Sequence, residues 1–562
     1  MNKHRSGRST GRRSRPAPVA GLPVNKNDEV TLDIIGMTHD GEGVGRVEGF
    51  TLFVLGALPG EKVRAKVLKV KKQYGYAKLL EVIEASSDRV TPPCEIYDRC
   101  GGCQLQHLSY TAQLAWKRQL VVDNLQRIGK LQVAGAPAMR RAGESKQAEA
   151  GGQAALGGSG AATGRVEMND AGEPADVQVA GVDSVNGGVA DPAVVDNSAD
   201  TQQVQPAAAI ADTTGILVRP TLGMDEPWRY RNKAQVPIGV ANGELIGGFY
   251  SRGTHRIIDM DTCLIQHESN DDVVRKVKAI ARRLGIMPYD EETGQGLLRH
   301  VVAKVAFRTG EMMVVLVTNG DRIPQQEEWI SEIRREMPAV TSICQNINTK
   351  QTNVIFGDIT RTLWGNEVIY DYIGDVKFAI SARSFYQVNP PQTEVLYGKT
   401  VEYAGLTGKE TVIDAYCGIG TISLFLAQHA KQVYGVEIVP EAIEDARANA
   451  QLNGMNNVTF EVGASEDVIP AWKEQGITPD VIVVDPPRKG CDARLLDTIL
   501  EMKPERVVYV SCNPSTLARD LRVLEDGGYR TVEVQPVDMF PHTVHVECVV
   551  SIYRKDMLER DA

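Results

Sequence analysis

The sequence predicts three folded domains. They are a small N-terminal β-barrel of the oligonucleotide-binding (OB-like) type, a central α+β domain with a metal-binding cysteine cluster, and a C-terminal α/β domain on a mostly parallel, Rossmann-like sheet. Three observations carry this. Strand and helix patterns alternate regularly over residues 396–562, as a parallel α/β sheet requires. Short strands with basic outer faces fill residues 23–86. Between these regions Cys94, Cys100 and Cys103 crowd into one stretch.

At 562 residues the chain is too long for a single core. Its 42% hydrophobic and 24% charged content are those of a soluble globular protein, and no apolar run of about 18 residues exists to cross a membrane. The N-terminus "MNKHRSGRSTGRRSRPAP" is basic, but no apolar segment follows, so it does not read as a secretory signal. Residues 1–22 are expected to be a disordered basic arm suited to a polyanion such as RNA, or a plain solubilising tail. Nine cysteines without a signal peptide indicate a reducing, cytoplasmic compartment. There, clustered cysteines serve as metal ligands or catalysts rather than disulfides. The net charge of -10 argues against a uniformly basic nucleic-acid binder, so the distribution of charge decides.

Residues 23–86 hold the basic part. In "EKVRAKV", Val63, Ala65 and Val67 alternate with Lys62, Arg64 and Lys66, a half-buried strand with a basic outer face. Further on, Lys69, Lys71, Lys72 and Lys78 interleave with Tyr74 and Tyr76, a mixture that suits single-stranded nucleic acid on an OB-like barrel. The central domain spans 87–395 and is interrupted at 132–214 by Ala, Gly, Val, Asp, Ser and Gln with no aromatic and no cysteine. Such a stretch cannot bury enough surface to order itself and is expected to be a disordered insertion. Structure resumes at "EPWRYRNKAQVPIGV", where Arg229, Arg231 and Lys233 are expected to share one face of a strand and Trp228 and Tyr230 the other.

In the C-terminal domain, "TVIDAYCGIGTISLFLAQHA" reads as a buried strand ending at Asp414, a turn at Gly418 and Gly420, and a helix. The next strand ends in Glu437, placed to accept hydrogen bonds from ribose hydroxyls. The third glycine of the dinucleotide fingerprint is missing, so a nucleoside without a pyrophosphate, S-adenosylmethionine, fits better. "PDVIVVDPPRKG" ends in Asp485-Pro486-Pro487-Arg488, where two prolines hold the backbone so that a carboxylate faces a planar substrate. "VVYVSCNPST" then brings Cys512 to the same carboxyl edge of the sheet as Asp414, Glu437 and Asp485, where ligands bind. A helix starting near Ser515 is expected to lower the thiol pKa. In "FPHTVHVECVV", His545 and Glu547 share one face of an otherwise apolar strand, and desolvation there would raise the carboxyl pKa and make Glu547 a usable base.

"DAYCGIGT", "DPPRKG", "SCNPSTLARDL" and "FPHTVHVE", in this order, resemble the RNA uridine-5-methyltransferases, and the N-terminal barrel is similar to their TRAM domain. The resemblance covers everything except the basic arm and the insertion. It implies a class I methyltransferase fold and a reaction in which Cys512 attacks uracil C6, C5 takes a methyl group from S-adenosylmethionine, and Glu547 removes the C5 proton. It also implies donor contacts from Gln387, Tyr416, Glu437 and Asp485, with lesser ones from Thr421 and the loop at Ala464. Cys417, Cys491 and Cys548 are expected to be packing residues.

Cys94, Cys100 and Cys103 form a C-x5-C-x2-C run whose three thiolates want a fourth ligand. Cys263 is the best candidate, with His107 as a weaker alternative. Chemistry alone allows zinc or a [4Fe-4S] cluster; the resemblance favours the cluster, in a structural or RNA-supporting role. The barrel and cysteine run together point to large-subunit (23S) ribosomal RNA, since tRNA-directed relatives generally lack both. The rival readings are a tRNA-directed enzyme, an RNA cytosine-5-methyltransferase, and a non-catalytic RNA-binding iron-sulfur protein.

Overall fold

The computed structural model describes residues 22–135 and 215–560. The expected basic arm and most of the expected insertion lie outside these residues.

Five strands close the N-terminal barrel: Glu29–Met37, Glu42–Val47, Phe50–Leu55, Lys62–Val70 and Tyr74–Glu84. Alternation makes it, because Leu32, Leu52, Val54, Val63, Ala65 and Val67 point into one buried core while the lysines stay outside. Glu48 and Gly49 join the second and third strands with both φ angles positive, the backbone of a tight two-residue hairpin. On the outer wall Phe53, Tyr74 and Tyr76 form a ring cluster with centroids 5.4–5.7 Å apart.

The central region builds a seven-stranded sheet, with helices Glu268–Arg283 and Gln326–Glu336 packed on it through Val273, Val277, Ile280, Trp329 and Ile333. One expected element differs. The strand starts at Lys233, not at Trp228. Arg229 adopts a left-handed backbone (φ 55°), and the segment bonds to the loop carrying Cys263 instead of to a sheet neighbour. Arg229 N donates to Leu264 O and Arg231 N to Ile265 O, while the Arg229 guanidinium reaches Cys263 O and the Asp271 carboxylate. The alternation survives without the ladder: Tyr230 is buried and Arg231 faces a cavity.

Across the C-terminal sheet the strands run Val458–Val462, Gln432–Glu437, Thr411–Ala415, Val481–Val484, Arg506–Ser511, Glu547–Arg554, Tyr529–Val537 and Leu217–Val218. The first five are parallel, and Glu547–Arg554 runs antiparallel between two earlier strands. The domain is wider than residues 396–562. Its first helix, Pro390–Ala404, begins earlier. Leu217–Val218 covers part of an edge strand that would otherwise be bare, and helix Tyr110–Arg127 packs Val121, Val122 and Leu125 into its core. Residues 132–135 also belong to the fold: Val133 is buried and pairs with Ile216, so the chain leaves and returns at one point. No helix among the described residues is long and apolar enough to cross a membrane.

Candidate active site

A cavity of about 1760 Å³ opens at the carboxyl edge of the C-terminal sheet and extends to the cysteine-rich segment. Gln387, Asp414, Tyr416, Thr421, Glu437, Ala464, Asp485, Cys512 and Glu547 all line it, as do Cys94, Cys100, Cys103 and Cys263.

The donor end is shaped by backbone. Strand Thr411–Ala415 ends in a turn in which Tyr416, Gly418 and Gly420 all have positive φ, a conformation natural only for the glycines. A Cβ on Gly420 would stand 3.0 Å from the Phe460 ring and 3.2 Å from Ala446, so that turn packs tightly against the next strand–helix unit. Asp414 accepts a hydrogen bond from Ser423 Oγ, and burial pushes its carboxyl up to about 7. Glu437 closes its strand and accepts from Val439 N at 3.0 Å. These features fit S-adenosylmethionine: close backbone approach, a strand-end carboxylate, and no third glycine for a pyrophosphate.

The reacting end is set by register. Ser511 pairs with Cys548 across the antiparallel strands, so Cys512, one residue on, stands opposite Glu547. Asn513 caps helix Pro514–Asp526 by accepting from Ser515 N, and its side-chain amide donates to Arg488 O at 3.0 Å, which ties the Pro-Pro turn to the cysteine turn. Burial, then the charge of Asp485, pushes the Glu547 carboxyl up to about 8, and Arg488 works in the opposite sense. Burial likewise pushes Asp485 up to about 7.

The thiol corrects an expectation. Cys512 does precede a helix N-terminus, yet its pKa is pushed up to about 12 rather than lowered. Burial is the largest cause, followed by the Glu547 and Asp485 carboxylates, and only Arg488 and a backbone bond oppose them. The helix dipole is a surface-scale effect, smaller here than desolvation beside two acids. His545 precedes its strand, which starts at Glu547. Cys491 and Cys548 are buried in the core, whereas Cys417, also buried, borders the cavity.

Cys94, Cys103 and Cys263 gather with Tyr97, Tyr230, Trp228 and Ile265 in one small cluster, and Cys100 lines the same cavity. Gly102 N donates to Cys100 Sγ at 3.4 Å, and Gln266 N donates to Cys263 O at 3.0 Å. Among the described residues, no three Cys, His, Asp or Glu side chains close around a single ion. Four thiols are a donor set that either zinc or a [4Fe-4S] cluster uses. His107 is turned away, its Nδ1 bonded to Tyr97 Oη at 2.6 Å.

Two placements go beyond the sequence reading: the shared face of Arg231 and Lys233 is expected, its position in the cavity is not, and the Lys117–Asp538 pair has no signal. Arg231 and Lys233 enter the cavity side by side, and burial with the Arg231 charge brings the Lys233 ammonium down to about 8. The fully buried Lys117–Asp538 pair, 2.5 Å apart, anchors the turn before Glu547 to helix Tyr110–Arg127. The spacing of lone residues 421 positions apart carries no signal for either partner.

The profile of the tRNA (Uracil-5-)-methyltransferase family matches residues 372–555, and that of the TRAM domain matches residues 23–80. A protein of Halalkalibacterium halodurans described as an uncharacterized RNA methyltransferase is 55% identical over 534 residues, covering 95% of this chain and 99% of that protein. One from Bacillus cereus, described the same way, is 50% identical over 532 residues, or 95% and 98%. Among solved structures, the Pyrococcus abyssi tRNA (uracil-54, C5)-methyltransferase in complex with S-adenosyl-L-homocysteine shares the fold. Its TM-score is 0.64 at 24% identity, over 93% of this chain and 100% of that one.

Proposed function

The chain belongs to the RNA (uracil-5-)-methyltransferase family, whose methyl donor is S-adenosylmethionine, and we propose that it methylates a uridine of 23S ribosomal RNA through a covalent bond between Cys512 and uracil C6. The observation that carries this reading is the meeting of Cys512, Glu547 and Asp485 in one cavity with the donor turn. S-adenosylmethionine supplies an electrophilic methyl group when bound. Gln387, Tyr416, Glu437 and Asp485 would hold it, with Thr421 and Ala464 alongside. Cys512 loses its proton and adds to C6; the C5–C6 π electrons make C5 nucleophilic, and C5 takes the methyl group. Glu547 then accepts the C5 proton, the double bond re-forms, and Cys512 leaves as thiolate. Glu547 returns its proton to that thiolate, so the proton first lost by Cys512 is the one released overall.

The basic, aromatic-bearing barrel and the cysteine cluster support a ribosomal substrate. The Pyrococcus abyssi enzyme, whose substrate is tRNA, follows this chain along nearly its whole length, so domain content alone does not separate the two and tRNA is the second reading. RNA carrying 5-fluorouridine decides, because its fluorine cannot leave as a proton does. With S-adenosylmethionine, the protein should form a denaturation-stable adduct with 23S fragments and none with tRNA transcripts. An adduct with tRNA alone makes it a tRNA enzyme; none with either RNA overturns the covalent mechanism.

Cys94, Cys100, Cys103 and Cys263 would hold a [4Fe-4S] cluster that organises the surrounding loops and takes no part in methyl transfer. All nine cysteines are free, as suits the cytoplasm. Anaerobically purified protein should contain iron and acid-labile sulfide, about four of each per chain, and serine at Cys103 should remove both. Stoichiometric zinc would overturn the assignment.

A further inference from the structure

The turn that leads into Glu547 is held by the cysteine-rich segment and by one side chain between them. His542 lies on that turn with a left-handed backbone (φ 67°). Its carbonyl accepts from both Gln104 N (3.0 Å) and Leu105 N (2.9 Å), immediately after Cys103. Its own N–H donates to Gln113 Oε1 at 3.0 Å, and its ring Nδ1 lies 3.2 Å from Gln113 Nε2. The same Gln113 amide donates to Leu105 O and Leu108 O, so one fully buried side chain joins both segments to helix Tyr110–Arg127. The His542 ring stacks on Trp228 with centroids 3.6 Å apart, and Val544 N reaches Gln104 Oε1 at 3.4 Å. A left-handed conformation at a non-glycine residue costs energy and persists only where surroundings over-determine it. Here five contacts of His542 do so, five residues before the carboxylate.

We propose that Gln113 and His542 are positioning residues for proton removal, locking the start of strand Glu547–Arg554 to the cysteine-rich segment so that Glu547 meets the uracil C5 proton. Neither residue lines the cavity, so both act through Glu547, and the inference rests on reading Glu547 as the base. Buried beside Lys117, the His542 imidazole is held neutral, its pKa brought down to about 3, so Nδ1 can share, as acceptor, one of the two Gln113 amide N–H groups that also serve Leu105 O and Leu108 O. The arrangement also makes the cysteine cluster a mechanical support of the catalytic step: the loop it braces is the loop that sets the base.

The test separates the steps before proton removal from proton removal itself. Adduct formation on 5-fluorouridine RNA needs Cys512 and the methyl donor but stops before the base acts. In Gln113→Ala and His542→Ala, adduct formation on 5-fluorouridine RNA should keep its wild-type rate. Turnover on ordinary RNA should fall about 10²-fold, the cost of a misplacement of about 1 Å, while covalent protein–RNA complex accumulates. His542→Asn, a residue that tolerates the left-handed region, should recover most of the turnover. If both rates fall together, or neither changes, or asparagine recovers nothing, the positioning role is wrong. Should Gln113→Ala not fold, the two His542 variants carry the test alone. Glu547→Gln is run alongside: if it fails to accumulate complex, the reading of Glu547 as base has failed, which is distinct from failure of the pair.

Discussion

Cys512→Ala should abolish methyl transfer, with a loss on the order of 10⁴–10⁶ in turnover, as when the nucleophile of a covalent mechanism is removed. The loss should be total for adduct formation on 5-fluorouridine RNA, while binding of S-adenosylmethionine, measured calorimetrically, stays within about threefold of wild type because the donor turn lies on other strands. The thiol environment sharpens this. With its pKa pushed up to about 12 by burial and by Glu547 and Asp485, Cys512 should react slowly with iodoacetamide in the free enzyme, since the thiolate is the nucleophile. Rapid alkylation at neutral pH in the absence of RNA and donor would show that the acids do not hold the proton on sulfur.

Glu547→Gln should leave attack and methyl transfer intact and block removal of the C5 proton. General-base removal is worth about 10²–10⁴ in rate, so turnover should drop by that factor and the covalent complex should build up on ordinary RNA. The pH dependence has a definite sign. A base must be ionised to accept a proton, and the Glu547 carboxyl sits at about 8. The rate at which the covalent complex on ordinary RNA resolves should therefore climb about tenfold per pH unit until that value, and the limb should vanish in the glutamine variant. Stability moves the other way. The folded chain keeps a proton that an unfolded glutamate, with its pKa of 4.5, has lost, so the group costs stability progressively as pH rises from 4.5 through about 8. Thermal melts should find Glu547→Gln more stable than wild type at pH 9 and equal to it near pH 4.5. A variant no more stable at pH 9 would mean the carboxyl is not held protonated.

The fold was largely legible because each domain announces itself by local chemistry. Alternation of Val63, Ala65 and Val67 with basic residues gave the barrel, and strand–turn–helix punctuation at Gly418 and Gly420 gave the sheet. Residues at strand ends were legible for the same reason: Glu437, Asp485 and Cys512 come to one cavity because parallel strands deliver their carboxyl ends to one edge. Features that depend on long-range packing were not legible. The Trp228–Lys233 segment has strand alternation but commits its backbone bonds to the Cys263 loop. The helix after Cys512 suggested a lowered thiol pKa, yet the loss of water and, after it, two acids from other strands outweigh it. Gln113 reads as an ordinary polar helix residue until its partners, more than four hundred positions away, are in place.

The antiparallel insertion of Glu547–Arg554 between Arg506–Ser511 and Tyr529–Val537 has a consequence for the order of assembly. Among the described strands it comes last in the chain, yet it sits inside the sheet rather than at its rim. Tyr529–Val537 reaches the parallel strands only through it, so the sheet is completed when the hairpin of these two strands docks on Arg506–Ser511. The same pairing that closes the core brings Glu547 across from Cys512. Structural completion and the meeting of Glu547 with Cys512 are one event, and a chain that has folded only its barrel and donor turn lacks the carboxylate that the proposed reaction requires.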